Sequence, residues 1–136
     1  MNTPELKQSD VYRRLQRLAS ESLGQLMRNL PGLTAGVIAT ADGFEVAANV
    51  RQGMDAAKLA AMACSISALG AMVGKESSIG ACRNVLIEAE GGYALIIEVT
   101  HPDYPMILNL VAAKEEVLGQ VLYRAKRTAE ALSALR

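Results

Sequence analysis

Apolar residues recur in the first part of the chain with a helical period. Val11, Leu15, Leu18, Ser22 and Leu26 fall on one face of a 3.6-residue repeat, and Arg13, Arg14, Arg17 and Glu21 lie mostly off it. This predicts a helix over 5–30, stopped by Pro31-Gly32. The pattern then changes to short β-favouring runs. LTAGVIAT at 33–40 and FEVAAN at 44–49 flank Ala41-Asp42-Gly43. Asp-Gly between two such runs is a strong hairpin signal, because Gly takes a positive φ without steric cost. Runs at 81–90 and 93–100 flank Gly91-Gly92, read as a second hairpin turn, and MILNLVA at 106–112 reads as a fifth strand. The loop before it, 101–105, holds two prolines and so stays out of a sheet interior. An Ala-rich helix over 55–74 separates the strand groups. A last helix over 115–135 carries Leu118, Leu122, Ala125, Ala129 and Leu132 as its apolar stripe. The predicted order is αββαβββα within a single domain over 1–136, of α+β class. Short turns join neighbouring strands, so the sheet is expected to be antiparallel.

The middle helix departs from the usual pattern of one apolar stripe and one charged face. From Leu59 through Gly74 no residue is charged; Lys58 and Lys75 bracket the stretch. At 1.5 Å per residue the uncharged part is about 24 Å long, short of the ~30 Å bilayer core. Leu59, Met62, Ile66, Leu69 and Val73 share one face, and this bulk is expected against the sheet. Ala56, Ala60, Ala63, Ser67, Gly70 and Gly74 share a second face, where little side chain stands between the helix and any approaching backbone. Ala57, Ala61, Ser65 and Ala68 make a third uncharged face. Only two other helices are available to cover it. A large uncharged surface on a small domain marks an interface, and the simplest mate is a second copy about a two-fold axis. The expected dimer or partner interface is Ala56, Ala60, Ala63, Cys64, Ser67, Gly70, Ala71 and Gly74, with Cys82 and Asn84.

Composition narrows the functional classes. Fourteen basic and fourteen acidic residues leave no net charge, hence no overall electrostatic footprint for nucleic acid or anionic lipid. One Phe and no Trp argue against a stacking platform for single strands. Two cysteines are too few for a disulfide scaffold. Met1-Asn2-Thr3-Pro4-Glu5 lacks a basic-then-apolar signal pattern, and no uncharged apolar run reaches the ~18 residues of a membrane span. These features predict a cytoplasmic protein with reduced thiols and no direct membrane insertion.

Catalytic constellations are weak. Gly70 to Lys75 resembles a phosphate loop, but it is one residue short and Glu76 stands where Ser or Thr would hold magnesium. It also ends a helix, and the carbonyl end of the dipole repels phosphate. Cys64 and Cys82 read as packing residues, since no positive cluster stands nearby to activate a thiolate. His101, the one histidine, reads as a solvated turn residue. Glu88, Glu90 and Glu98 read as the wet side of a sheet or its edge. Arg124, Lys126 and Arg127 read as a solvated helix face. No catalytic residue, cofactor site or metal site is expected.

Residues 36–44, GVIATADGF, resemble the first hairpin of the roadblock family, which comprises dynein light-chain roadblock proteins and bacterial relatives acting on Ras-like GTPases. Leu59-Ala60-Ala61-Met62-Ala63 is similar to that family's Ala-rich helix, and 116–121 with 126–132 resemble its last helix. The resemblance implies a five-stranded antiparallel sheet with one helix on one face and two on the other. It implies a homodimer with a continuous sheet, in which the second helix and third strand meet their copies, and a small Ras-like GTPase as partner. The alternatives are a dimeric scaffold or light-chain adaptor without a GTPase, a small-molecule sensor, and an enzyme using Cys64 or Cys82.

Overall fold

The computed structural model describes residues 10–51 and 53–136. The stretch 5–9 of the predicted first helix lies outside them. Helix α1 spans Asp10–Asn29 and buries Tyr12, Leu15, Ala19, Leu23 and Leu26. Leu15 and Leu26 were on the expected stripe. Val11, Leu18 and Ser22 are half-buried at its flank, because the helix covers β-strands on one side and touches the last helix on another. The chain then forms β1, Leu33–Thr40, and β2, Glu45–Val50. Gly43 turns the hairpin at φ +93°, and its amide donates to the Thr40 carbonyl at 2.9 Å. Phe44, expected in the strand, stays in the turn, where its amide meets Thr40 Oγ1 at 3.1 Å. A bulge between Ile38 and Ala39 shifts the register of β1 on β2.

Helix α2, Ala56–Glu76, starts where Asp55 accepts a hydrogen bond from the Lys58 amide. It runs past Gly74 to a Ser77 cap. Strands β3, Asn84–Ala89, β4, Gly92–Val99, and β5, Met106–Ala113, follow. The β3–β4 turn is Glu90-Gly91, one residue earlier than expected: Gly92 already pairs with Ala89. Helix α3, Leu118–Ala134, closes the chain.

The five strands lie in the order β2-β1-β5-β4-β3, antiparallel throughout. Helices α1 and α3 cover one face and α2 the other, so the expected architecture is present. The two faces are packed differently. Under α1 and α3 lies the main core, with Leu15, Leu23, Leu33, Ile38, Leu108 and Leu132 fully buried. On α3 the buried residues are Val121, Ala125, Ala129 and Leu132, whereas Leu118 and Leu122 are half-buried. Under α2 the contacts are short and small: Ala60 with Val37 and Ala39, and Ala63 with Ile96 and Ile107.

Candidate interaction surface

The orientation of α2 reverses the sequence expectation. Ala60 and Ala63, 0% and 1% exposed, lie against the chain's own sheet, and Ser67 and Gly74 are buried beside them. The bulky face points outward: Met62, Leu69, Met72 and Val73 are 51%, 60%, 65% and 60% exposed. Leu59 and Ile66 sit half-buried at the margins. The physical reason is the approach of the chain after α2. A Cβ on Gly70 would come within 2.7 Å of Cys82 Sγ, and one on Gly74 would strike the Gly80 carbonyl. The small stripe therefore serves an intramolecular contact, in which the segment 80–82 and the sheet nestle against near-bare backbone.

Of the residues expected at an interface, Ala60, Ala63, Ser67 and Gly74 are thus committed to the fold. Ala56, Cys64, Gly70 and Cys82 are half-buried, while Ala71 and Asn84 are exposed. Gly70, Gly74, Cys82 and Asn84 do come together, lining a trough of about 740 Å³ between the end of α2 and the start of β3. Val73 and Ile79 form its apolar rim, and Ile79 is among the most exposed large residues. Sequence reasoning missed Met72 and Ile79: Met72 shares its helix face with Lys75 and Glu76, and Ile79 lies past the helix end, so periodicity singles out neither.

β3 extends this surface. It pairs only with β4, so its outer edge of N–H and C=O groups has no strand partner within the chain. Five of its six residues are exposed, including Leu86 and Ile87. A long, exposed, partly apolar edge strand is normally blunted by charge, proline or a bulge. Here only Glu88 supplies charge and no bulge occurs. The surface is thus a free sheet edge flanked by the uncharged, Met- and Leu-bearing stretch of α2 from Leu59 to Gly74. By length and composition α2 also qualifies as a membrane span, at 21 residues with Lys58, Lys75 and Glu76 included. Its packing against the sheet through Ala60 and Ala63 gives it a different place here, docked on a domain.

Several of the candidate reactive groups hydrogen-bond within the fold. Cys64 and Cys82 are free thiols whose Sγ atoms donate to the Ala41 and Asn84 carbonyls. His101, expected in solvent, is buried. Its Nδ1 accepts from the Asp103 and Tyr104 amides, both at 3.1 Å, which places the proton on Nε2, 2.6 Å from the Leu135 carbonyl. The ring thereby ties the β4–β5 loop to the end of α3. Glu98 accepts from Ser67 Oγ at 3.4 Å, and Glu88 and Glu90 are exposed. Tyr93 donates to the Glu116 carbonyl at 2.8 Å; burial, and then the Glu116 charge, push its phenol up from the ordinary value of 10. Among the described residues no three His, Cys, Asp or Glu side chains gather as a metal site.

The chain thus combines an antiparallel five-stranded sheet, a lone helix with an uncharged middle on one face, a helix pair on the other and an open, apolar edge strand. The Roadblock/LC7 domain model matches residues 20–102, and the chain belongs to that family. Solved structures agree in fold. A Roadblock/LC7 domain from Streptomyces avermitilis superposes with a TM-score of 0.75 at 18% identity, covering 83% of this chain and 92% of that one. The gliding protein MglB from Thermus thermophilus gives 0.76 at 20% identity, covering 89% and 90%. MglB from Myxococcus xanthus gives 0.73 at 13% identity, covering 92% and 89%. Among proteins of curated function none matches the chain.

Proposed function

We propose that this chain is a non-enzymatic interaction module, a single domain over 1–136, that pairs with a second copy through α2 and β3 and, as a dimer, binds and regulates a small Ras-like GTPase. The observation that carries the pairing is the exposed apolar face of α2 lying beside the edge of β3 that has no strand partner. Two copies of β3 joined about a two-fold axis satisfy each other's edge groups and extend five strands to a continuous sheet of twice that number. Each large apolar side chain fully buried contributes about 1.5–3 kcal/mol, less whatever it already buries. Met62, Leu69, Met72 and Val73 on each of two protomers can therefore offset an association cost of roughly 4–15 kcal/mol.

The GTPase reading rests on family membership and on the likeness to two MglB structures, since members of the family act as regulators or adaptors rather than enzymes. It accords with the chain's own chemistry. The phosphate-loop-like run from Gly70 lies in the last turns of α2, at the dipole's negative end, which disfavours phosphate there and suits a reading in which the partner carries the nucleotide. The cytoplasm, where such GTPases work, is the proposed compartment.

The test has two parts. Light scattering on the purified chain should give twice 14.4 kDa. Affinity capture from the source organism, with GDP or a non-hydrolysable GTP analogue present, should recover a Ras-like GTPase whose hydrolysis rate the added chain changes. A dimer that captures no GTPase under either nucleotide would leave the module and remove the regulator.

A further inference from the structure

We propose that the trough between α1 and α3 is a second docking site, on the opposite face of the sheet from α2, and that it takes an acidic amphipathic helix of a partner protein. The trough holds about 450 Å³. Leu18, Leu26 and Ala131 supply apolar lining, Arg124 and Arg127 supply the charge, and no carboxylate lines it.

Charge is unevenly spread over a chain that is neutral as a whole. Helix α1 carries four arginines against two acids, and α3 three basic residues against one acid, a surplus of four on this face. The rest of the chain holds the compensating deficit. Internal pairing does not consume the surplus: the ion pair formed among the described residues is Arg13 with Asp10, at 4.0 Å.

Two details turn a basic face into a site. Arg124 Nε is buried and has no hydrogen-bond acceptor. A buried donor left without an acceptor costs about 1–3 kcal/mol. Among the described residues no group satisfies this guanidinium at Nε, and its charge is left for a carboxylate in the trough to pair with. Arg127 is held in place: its Nη1 donates to Tyr123 Oη at 3.0 Å, and its guanidinium lies 5.8 Å from the Tyr123 ring centroid. Its remaining N–H groups are thus presented in a fixed fork, the geometry that suits a carboxylate.

The shape selects a helix over a lipid surface. Membrane docking needs exposed apolar wedges beside the basic residues. Helix α1 exposes no large hydrophobic side chain, Leu18 and Leu26 are recessed between the two helices, and the one large exposed ring of the lining, Tyr123, is engaged by Arg127. A groove with an apolar floor and a charged rim is the setting in which an amphipathic helix lays down its apolar face. The site is independent of the α2–β3 surface, so one protomer can engage two proteins at once.

The probe is a fluorescein-labelled peptide of about 14 residues, roughly four helical turns, with Leu and Glu on one face and Ala and Gln on the other. Anisotropy should show saturable binding that weakens with salt, and a scrambled peptide of equal composition should bind more weakly. Arg124→Gln with Arg127→Gln should lower affinity by about tenfold or more. Arg13→Gln with Lys126→Gln, an equal charge loss outside the trough, should change it less than about twofold. Arg127 is exposed, so Arg127→Gln alone keeps the test valid if the double variant fails to fold; it should cost about threefold or more. Absence of saturable binding, equal losses from both pairs, or binding to phosphatidylserine vesicles with none to the peptide would each overturn the proposal.

Discussion

The reversed packing of α2 can be tested by loading each of its two faces in turn. Ala63 is enclosed by Ile96 and Ile107, and Ala63→Leu drives the bulk of an isobutyl group into that contact. Overpacking of this kind costs about 1–3 kcal/mol, which for a domain of this size lowers Tm by roughly 3–10 °C. Leu69 is 60% exposed on the other face, so Leu69→Ser should change protomer stability by no more than about 0.5 kcal/mol. Its effect should fall on association. Burying the exposed part of one leucine contributes about 1–2 kcal/mol, so two symmetric losses should weaken the dimer by roughly 30-fold or more. Thermal unfolding at fixed concentration, paired with sedimentation velocity over a dilution series, separates the two effects. The reasoning fails if Ala63→Leu unfolds like the wild type but sediments as a monomer, while Leu69→Ser stays a dimer. That result would put the small face at the interface after all.

Other consequences follow from the packing. Gly43→Val should cost about 1–3 kcal/mol, because φ +93° is strained for a β-branched residue; unchanged denaturant unfolding would mean the hairpin turns otherwise. Leu132→Ala should cost about 2–5 kcal/mol as a cavity in the main core, clearly more than Leu122→Ala at a half-buried position; equal costs by denaturant melt would count against the assigned stripe. His101→Ala removes three hydrogen bonds and should both destabilise by about 2–3 kcal/mol and speed hydrogen exchange near Asp103 and Tyr104; unaltered protection there would refute the tie. Burial raises the Tyr12 phenol above 10, as it does that of Tyr93. The unfolded chain then loses these protons first, so stability is complete below pH 10 and falls as pH rises beyond it; Tyr12→Phe with Tyr93→Phe should flatten that alkaline decline in a pH series of melts.

Element order and hairpins could be read from the chain because each depends on local signals: Asp42-Gly43 at a turn, alternation of run and breaker, Pro31-Gly32 at a helix end. The layered arrangement came with the family resemblance, and both agree with the structure. The facing of α2 was not legible. Periodicity divides a helix into faces but does not say which one packs, and the usual rule that bulk goes inward fails here. What decides it is a tertiary contact, the passage of Gly80 and Cys82 across Gly70 and Gly74, and no local pattern encodes that. His101 was misread for a similar reason. Its partners are a carbonyl at the far end of α3 and two amides of its own loop, so its burial depends on where α3 ends. The Arg124–Arg127 trough was visible only as helix charge, since the burial of Arg124 Nε requires α1 alongside.

The most direct measurement is amide hydrogen exchange along β3, read residue by residue above and below the association concentration. In Asn84–Ala89 the amides on the edge away from β4 have no acceptor within the chain. These amides should become protected as concentration rises and the dimer forms. Rapid exchange of those outward amides at every concentration, with the chain remaining a single 14.4 kDa particle, would contradict it.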